Sequence, residues 1–230
     1  MRTHRRIVGA SMFPVAVDKL TEKRYNIGNF VNTMRLPTSI SSILERQNGT
    51  ITSQDIARAG ISRTMLGKYV SSGLLERSAR GIYSSIDAIP DELLIIAKRC
   101  PRLVFSHTTA AFLHAISERT PFDHTISIPS SQTIPASLRA EVKCFYVKDD
   151  ICLLGKTSMM TQFGNAVPCY DLERTVCDLI RDRSRIGEED FLAAIKNYFK
   201  SDKKNLQRLG SYAEKMKIAK KVNAIMELMP

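Results

Sequence analysis

The stretch that decides the fold runs from Ile51 to Tyr83 and reads ITSQDIARAGISRTMLGKYVSSGLLERSARGIY. Thr52 stands three residues before Asp55, the spacing at which two side chains can cap a helix start reciprocally. A short helix is therefore expected over about Ser53 to Ala59, with Ile56 turned inward. Gly60 supplies a residue free to adopt positive φ for a tight turn. Ser62 is a good N-cap for the next helix, roughly Arg63 to Ser71. Gly73 closes it. Leu74–Arg77 and Gly81–Tyr83 read as hairpin arms, with Ser78-Ala79-Arg80 at the tip. Helix, glycine turn, helix and basic hairpin in this order form the pattern of a winged helix-turn-helix.

Drawn as a wheel at about 100° per residue, the second helix divides cleanly. Met65, Leu66, Tyr69 and Val70 share one face. Thr64, Gly67, Lys68 and Ser71 share the other, with Arg63 at its margin. That outer face carries no acid. Small residues let backbone approach a duplex, Arg63 and Lys68 can reach phosphates or guanine edges, and Thr64 and Ser71 can bond either. Arg80 would bring a second positive group from the wing. The competing explanations are a solvated basic face and a helix-turn-helix that contacts only protein.

Upstream, Pro37-Thr38-Ser39 marks a helix start, and Ile40, Ile43 and Leu44 follow at helical spacing. Gly49 ends that helix, and Thr50-Ile51 is expected to form one short strand. Residues 1–34 show no clear periodicity and read as an N-terminal extension, poorly ordered, with Met34 a candidate natural start. MRTHRR before IVGASMFPVAV only faintly imitates a signal peptide, because Ser11 and Pro14 break the apolar run.

The 230 residues suffice for two domains, and a 43% hydrophobic content supports real cores. The net charge is +11. Residues 1–89 hold 13 Lys and Arg against 6 Asp and Glu; residues 90–200 hold 14 of each; residues 201–230 hold 7 against 3. The positive excess thus sits at the two ends, one of them carrying the helix-turn-helix, and favours a polyanionic partner. Five cysteines, scattered and without a C-x-x-C pair, suit reduced thiols in a cytoplasmic protein. No apolar run is long enough to span a membrane.

Beyond the winged segment, expected strands are Leu103–Phe105, His124–Pro129, Val142–Val147, Ile151–Leu154 and Ala166–Tyr170. Expected helices are Asp91–Arg99, Thr108–Ile116, Asp171–Arg183, Glu188–Phe199 and a long final one over Asn205–Met229, with a helical turn at Pro135–Ala140. The final helix carries Leu209, Tyr212, Ala213, Met216, Ala219, Val222, Ile225, Met226 and Met229 on one face, which either closes the core or docks a partner. Helices and strands mix without strict alternation. The fold class is therefore α+β: a winged helix-turn-helix over 35–86, then a larger mixed domain over 90–230 with a helical C-terminus.

Other groups suggest chemistry weakly. Asp123, Glu141 and Lys143 loosely match a nuclease pattern in which carboxylates hold Mg²⁺. Asp171 and Glu173 open a helix, where capping and the helix dipole account for them. His107 and His114, with Cys100 nearby, are spaced too widely for a zinc site and suit structural roles. No catalytic residue, cofactor or metal is expected, and the chain is not expected to be an enzyme.

Three passages together resemble one family: DIARAGISRTMLGKYVSSGLLERSARGIY, LVFSHTTAAFLHAISERTPFDHTISIP and CYDLERTVCDLIRDR with its helical tail. In this order they are similar to the AbiEi-type antitoxins of type IV toxin–antitoxin systems, abortive-infection modules of phage defence. The resemblance covers about residues 36–228. It implies a winged domain that represses its own operon at inverted operator repeats, and a C-terminal domain that counteracts a cognate nucleotidyltransferase toxin, directly or functionally. It places the DNA face at Arg63, Thr64, Lys68 and Arg80. A monomer or weak dimer is expected, without a membrane partner. The alternative is a ligand-sensing winged-helix regulator that has no toxin partner.

Overall fold

A computed structural model describes residues 34–228, together with the backbone of 23–27 and 30–33. Two strands, β1 (Lys23–Ile27) and β2 (Phe30–Met34), pair as an antiparallel hairpin. This is regular pairing where the sequence suggested none. The expectation of a poorly ordered extension otherwise falls outside the described residues.

The winged unit follows as α1 (Thr38–Arg46), β3 (Thr50–Thr52), α2 (Ser53–Arg58), α3 (Arg63–Ser71), β4 (Leu75–Ala79) and β5 (Ile82–Ser85). Its sheet has the order β3-β5-β4, all antiparallel. Ile40 and Leu44 of α1, Ile51, Ile56, Leu66, Tyr69, Leu74 and Leu75 are buried together as its core. Ile40 and Leu44 in α1, and Leu66 and Tyr69 in α3, are spaced so that the helical period turns both members of each pair inward, while Leu74 lies in the turn before β4.

The remaining elements are α4 (Glu92–Arg99), β6 (Val104–Phe105), α5 (His107–Leu113), β7 (His124–Pro129), β8 (Val142–Val147), α6 (Asp149–Cys152), β9 (Lys156–Met160), β10 (Ala166–Tyr170), α7 (Leu172–Arg181), α8 (Glu188–Lys200), α9 (Leu206–Lys215) and α10 (Ala219–Leu228). They build a mixed sheet of order β8-β7-β6-β10-β9, in which β7–β8 and β6–β10 run parallel. One apolar cluster packs Leu93, Leu94 and Ile96 of α4 against Phe105, Ile126, Ile128 and Val167 of the sheet. Another gathers α7, α8, α9 and α10 around Val176, Leu179, Ile195, Tyr198 and Leu209. The fold is α+β, with a winged helix-turn-helix and a helical C-terminus.

Several expectations are corrected. Ile151–Leu154 is no strand: residues 149–152 form the helical turn α6. The strand of that region is β9, which the sequence reading passed over. The final helix is two helices, broken at Met216–Ile218 where Lys217 takes φ +58. Leu209, Ala213, Met216 and Val222 of this tail are buried, so its apolar face closes the core.

The junction between sheet and helices is organised by Arg174 of α7, whose side chain is fully buried. Its Nε donates to Asp178 Oδ2 at 3.2 Å and its Nη1 to the carbonyls of Ile151 (2.6 Å) and Leu154 (2.8 Å). The guanidinium lies 4.1 Å from the centre of the Tyr170 ring. Gly155, at φ +72, passes so close that an added Cβ would come within 2.6 Å of the Arg174 Cβ. Replacing Arg174 with Ala is expected to cost about 3–5 kcal/mol, because buried Asp178 loses one of its two guanidinium partners and the Ile151 and Leu154 carbonyls lose their donor. Urea unfolding of the two proteins measures this, and Arg174→Lys should recover little of the loss, since an ammonium cannot span the same carbonyls and carboxylate.

Candidate nucleic-acid interface

The interface is assembled by local capping. Thr52 Oγ1 accepts from the Asp55 N–H at 3.1 Å, and Asp55 Oδ2 accepts from the Thr52 N–H at 3.2 Å and from its hydroxyl at 2.7 Å. This is the reciprocal cap anticipated from the spacing. Gly60 sits at φ +76, and the Ile61 N–H returns to the Ile56 carbonyl at 3.1 Å, closing α2. Ser62 Oγ then accepts from the Met65 N–H at 3.2 Å and starts α3.

Leu66 and Tyr69 are buried under α3, with Met65 and Val70 partly covered. Arg63, Thr64, Gly67, Lys68 and Ser71 are all exposed on its outer side. A Cβ added at Gly67 would meet nothing within 4 Å, so the middle of this face is open. No acidic residue lies within α3. The expected contact residues therefore share one surface.

The wing differs in detail from expectation. Its tip is the two-residue turn Arg80-Gly81, not Ser78-Ala79-Arg80. Ser78 is the extra residue of a bulge, since Arg77 faces Tyr83 while Ala79 faces Ile82. Its hydroxyl meets that of Ser84 at 2.5 Å. The Gly81 carbonyl accepts from the Ser53 N–H at 2.8 Å, which seats the wing tip on the first residue of α2. Ser53 and Arg63 in turn line one hollow between α2 and α3. Arg80, exposed, belongs to the turn that is seated in this way on α2. Arg77, exposed on β4, adds a basic side chain that the sequence reading assigned only to a hairpin arm. Over residues 35–86 there are 7 Lys and Arg against 3 Asp and Glu.

Of the groups weighed for catalysis or metal binding, Glu141, Lys143, Asp171, Glu173, His107 and His114 have partners within the fold. Glu141 forms an ion pair with Arg99, at 2.5 and 2.9 Å, and a hydrogen bond from Arg99 holds its carboxyl below the usual range. Lys143 Nζ donates to the Arg185 carbonyl at 2.5 Å. Asp123 and Glu141 precede a register pair of parallel strands, His124 and Val142, but this places only one uncommitted acid at that sheet end. Asp171 caps α7 through the Arg174 N–H at 2.8 Å and accepts from the Tyr212 hydroxyl at 2.8 Å. Buried Glu173 accepts from the Asn205 N–H at 2.9 Å. The acidic pair thus ties α7 to α9.

The two histidines do not converge. His114 Nε2 lies 2.8 Å from the Tyr170 carbonyl, and burial lowers its pKa. His107, buried at φ +47, stacks on Phe145 at 3.7 Å and meets Asp182 Oδ2 at 3.0 Å. His107, Asp178 and Asp182 bring three ligand-type atoms within 4.8 Å of one another. Arg181 already occupies that space, 3.0 Å from Asp178 and 2.8 Å from Asp182, and Arg174 holds the other side of Asp178. Both carboxylates are charge-compensated, so a cation would have to displace a guanidinium.

Residues 39–86 match the family model described as "Transcriptional regulator, AbiEi antitoxin". The match covers the winged unit and shows that this unit is similar to that family. The matched segment spans α1 through the wing and includes Arg63, Thr64, Lys68, Ser71 and Arg80. That family is one of regulators, not an enzyme class. The whole fold is similar to a crystal structure of the RV2827C protein from Mycobacterium tuberculosis, at 16% identity and a TM-score of 0.53, over 85% of this chain and 74% of that one. At that identity the likeness is one of fold. No curated protein sequence matches the chain. Among the described residues no helix is long and apolar enough to cross a membrane.

The Asp182 arrangement makes a pH prediction. Burial alone would raise its carboxyl, but hydrogen bonds from His107 and Arg181 outweigh this and bring it from 3.8 to about 2. A carboxyl depressed by folding stabilises the fold above its unfolded value, and that contribution disappears as pH falls through its folded value. Unfolding of the wild type should therefore lose stability between pH 3.8 and about 2. Asp182→Asn should be less stable at neutral pH and show a shallower decline across this window, as read by urea midpoints at successive pH values.

Proposed function

We propose that the protein is a DNA-binding antitoxin of the type IV class. Its winged domain, residues 35–86, binds operator DNA at inverted repeats and represses its own operon. Its second domain, residues 90–230, neutralises a cognate nucleotidyltransferase toxin, directly or through the toxin's target. The chain acts in the cytoplasm, where promoter DNA is. The observation that carries this reading is the acid-free outer face of α3, with Arg63 and Lys68 exposed and Arg80 exposed at the tip of the wing. Such a face meets both needs of a groove-binding helix: positive charge for phosphates, and small residues for close approach. Arg63, Thr64, Lys68, Ser71 and Arg80 are the proposed contacts.

One observation favours the ligand-sensing regulator as a second reading. A hollow of about 260 Å³ beside the connection from the wing is lined by Ile89, Leu93, Phe112, Pro121, His124 and Phe163, among others. A ligand there would touch both the connection and the α+β domain.

Arg63→Ala and Lys68→Ala should each weaken operator binding, by roughly 1–3 kcal/mol for a base contact and less for a phosphate contact. The loss of a phosphate contact should also reduce the salt dependence of binding by about one counterion. Electrophoretic mobility shifts at several salt concentrations measure both. A double alanine variant that binds its operator like wild type would refute the assigned face. Co-expression with the product of the adjacent reading frame, scored by growth, tests the antitoxin role; rescue should survive both alanine changes.

A further inference from the structure

The two edges of the five-stranded sheet are finished differently. At β8 the edge is covered: Arg185 lies 4.0 Å from the centre of the Phe145 ring, its Nη2 donates to the Cys144 carbonyl at 3.4 Å, and Lys143 reaches back to the Arg185 carbonyl. At β9, among the described residues, no strand pairs with the outer side. Lys156, Thr157, Ser158 and Met160 are exposed, and β10 is the strand partner of β9.

The phase of the β9–β10 ladder follows from its two ends. The Asp171 N–H donates to the Gly155 carbonyl at 2.7 Å, and the Thr161 N–H donates to the Asn165 carbonyl at 2.8 Å. Hydrogen-bonded pairs alternate along an antiparallel ladder. Residues 155, 157, 159 and 161 therefore turn their backbone groups toward β10, and residues 156, 158 and 160 turn theirs outward. The proline at Pro168 stands opposite Ser158, a pair that exchanges no hydrogen bonds in this phase. The Lys156 N–H is taken by the Leu153 carbonyl at 3.2 Å. That leaves the Lys156 carbonyl and both backbone groups of Ser158 and Met160 facing out along one line. Natural edges are usually guarded by proline, bulges or several charges. This one carries a single lysine, at its end, and is flanked by Leu153 and Met160, 72% and 58% exposed.

We propose that this edge pairs antiparallel with the same edge of a second copy of the chain, about a two-fold axis through Ser158. The register is self-complementary. Each Ser158 N–H donates to the partner's Ser158 carbonyl, and each Met160 N–H donates to the partner's Lys156 carbonyl. Lys156 lies opposite Met160 across the axis, so the lysine stem covers the thioether and no like charges oppose. Edge pairing buries much less than the roughly 1,200–2,000 Å² of a stable complex, so the dimer is weak and forms at high local concentration. Two paired copies carry two winged units, the number an inverted repeat accommodates. That consequence rests on the DNA reading; the pairing itself does not.

Sedimentation equilibrium of the purified full chain, without DNA, tests the pairing. The wild type should rise toward twice its monomer mass as concentration increases. Met160→Lys sets like charges opposite each other twice and should weaken association about ten-fold. The double variant Lys156→Glu with Met160→Lys should restore it, because opposite charges then face each other across the axis. Ser158→Pro should abolish it while the circular dichroism stays native, since the lost N–H points away from β10. A wild type that stays monomeric at every concentration overturns the proposal. So does a dimer that ignores all three variants.

Discussion

One buried guanidinium sets the geometry on which the larger domain depends. Arg174 joins α7 to the turn that precedes β9 by holding two of its carbonyls, and it is neutralised from within its own helix by Asp178. Removing such a charge from water is costly, and the cost is offset only when every bond is aligned. The bonds from Nε and Nη1, the Tyr170 ring on one side and the close passage of Gly155 offset that cost in part, while the buried Nη2 meets no acceptor among the described residues. The position of β9, and so of the outer sheet edge, follows from this arrangement.

The winged unit works on a different principle. Its helices are short, and helices this short gain little from propensity alone. They are held by caps at both ends and by a shared apolar core. The division leaves Arg63, Thr64, Gly67 and Lys68 exposed on the outer side of α3. One polar link to the larger domain runs through Asn165, whose Nδ2 donates to the Gln47 carbonyl at 3.3 Å and to buried Asp91, which also caps α4, at 2.9 Å.

Much of this was legible because its causes are local. Thr52 and Asp55 are three residues apart, as are Ser62 and Met65, so the starts of α2 and α3 follow from spacing. Strands His124–Pro129, Val142–Val147 and Ala166–Tyr170 were bounded correctly by their apolar patterns. Ile151–Leu154 misled because a short apolar run has no period that separates strand from helix. β9 escaped notice because an edge strand exposed on both sides shows little alternation. The bulge at Ser78 depends on a partner strand, and the break at Lys217 on a left-handed residue that is not glycine.

By itself, then, the sequence determined the order of elements in the winged unit, its caps, the inward and outward faces of α3 and the location of positive charge. Each of these depends on residues within about four positions of one another, the reach of a helical turn. Tertiary structure alone decided that His107 meets Asp182, 75 residues away, and that Glu141 is held by Arg99. It also decided that the wing tip rests on Ser53 and that one sheet edge is covered while no described strand pairs with the other. Those outcomes come from packing between distant segments, where burial makes a charge or hydrogen bond seek whichever partner the fold brings within reach.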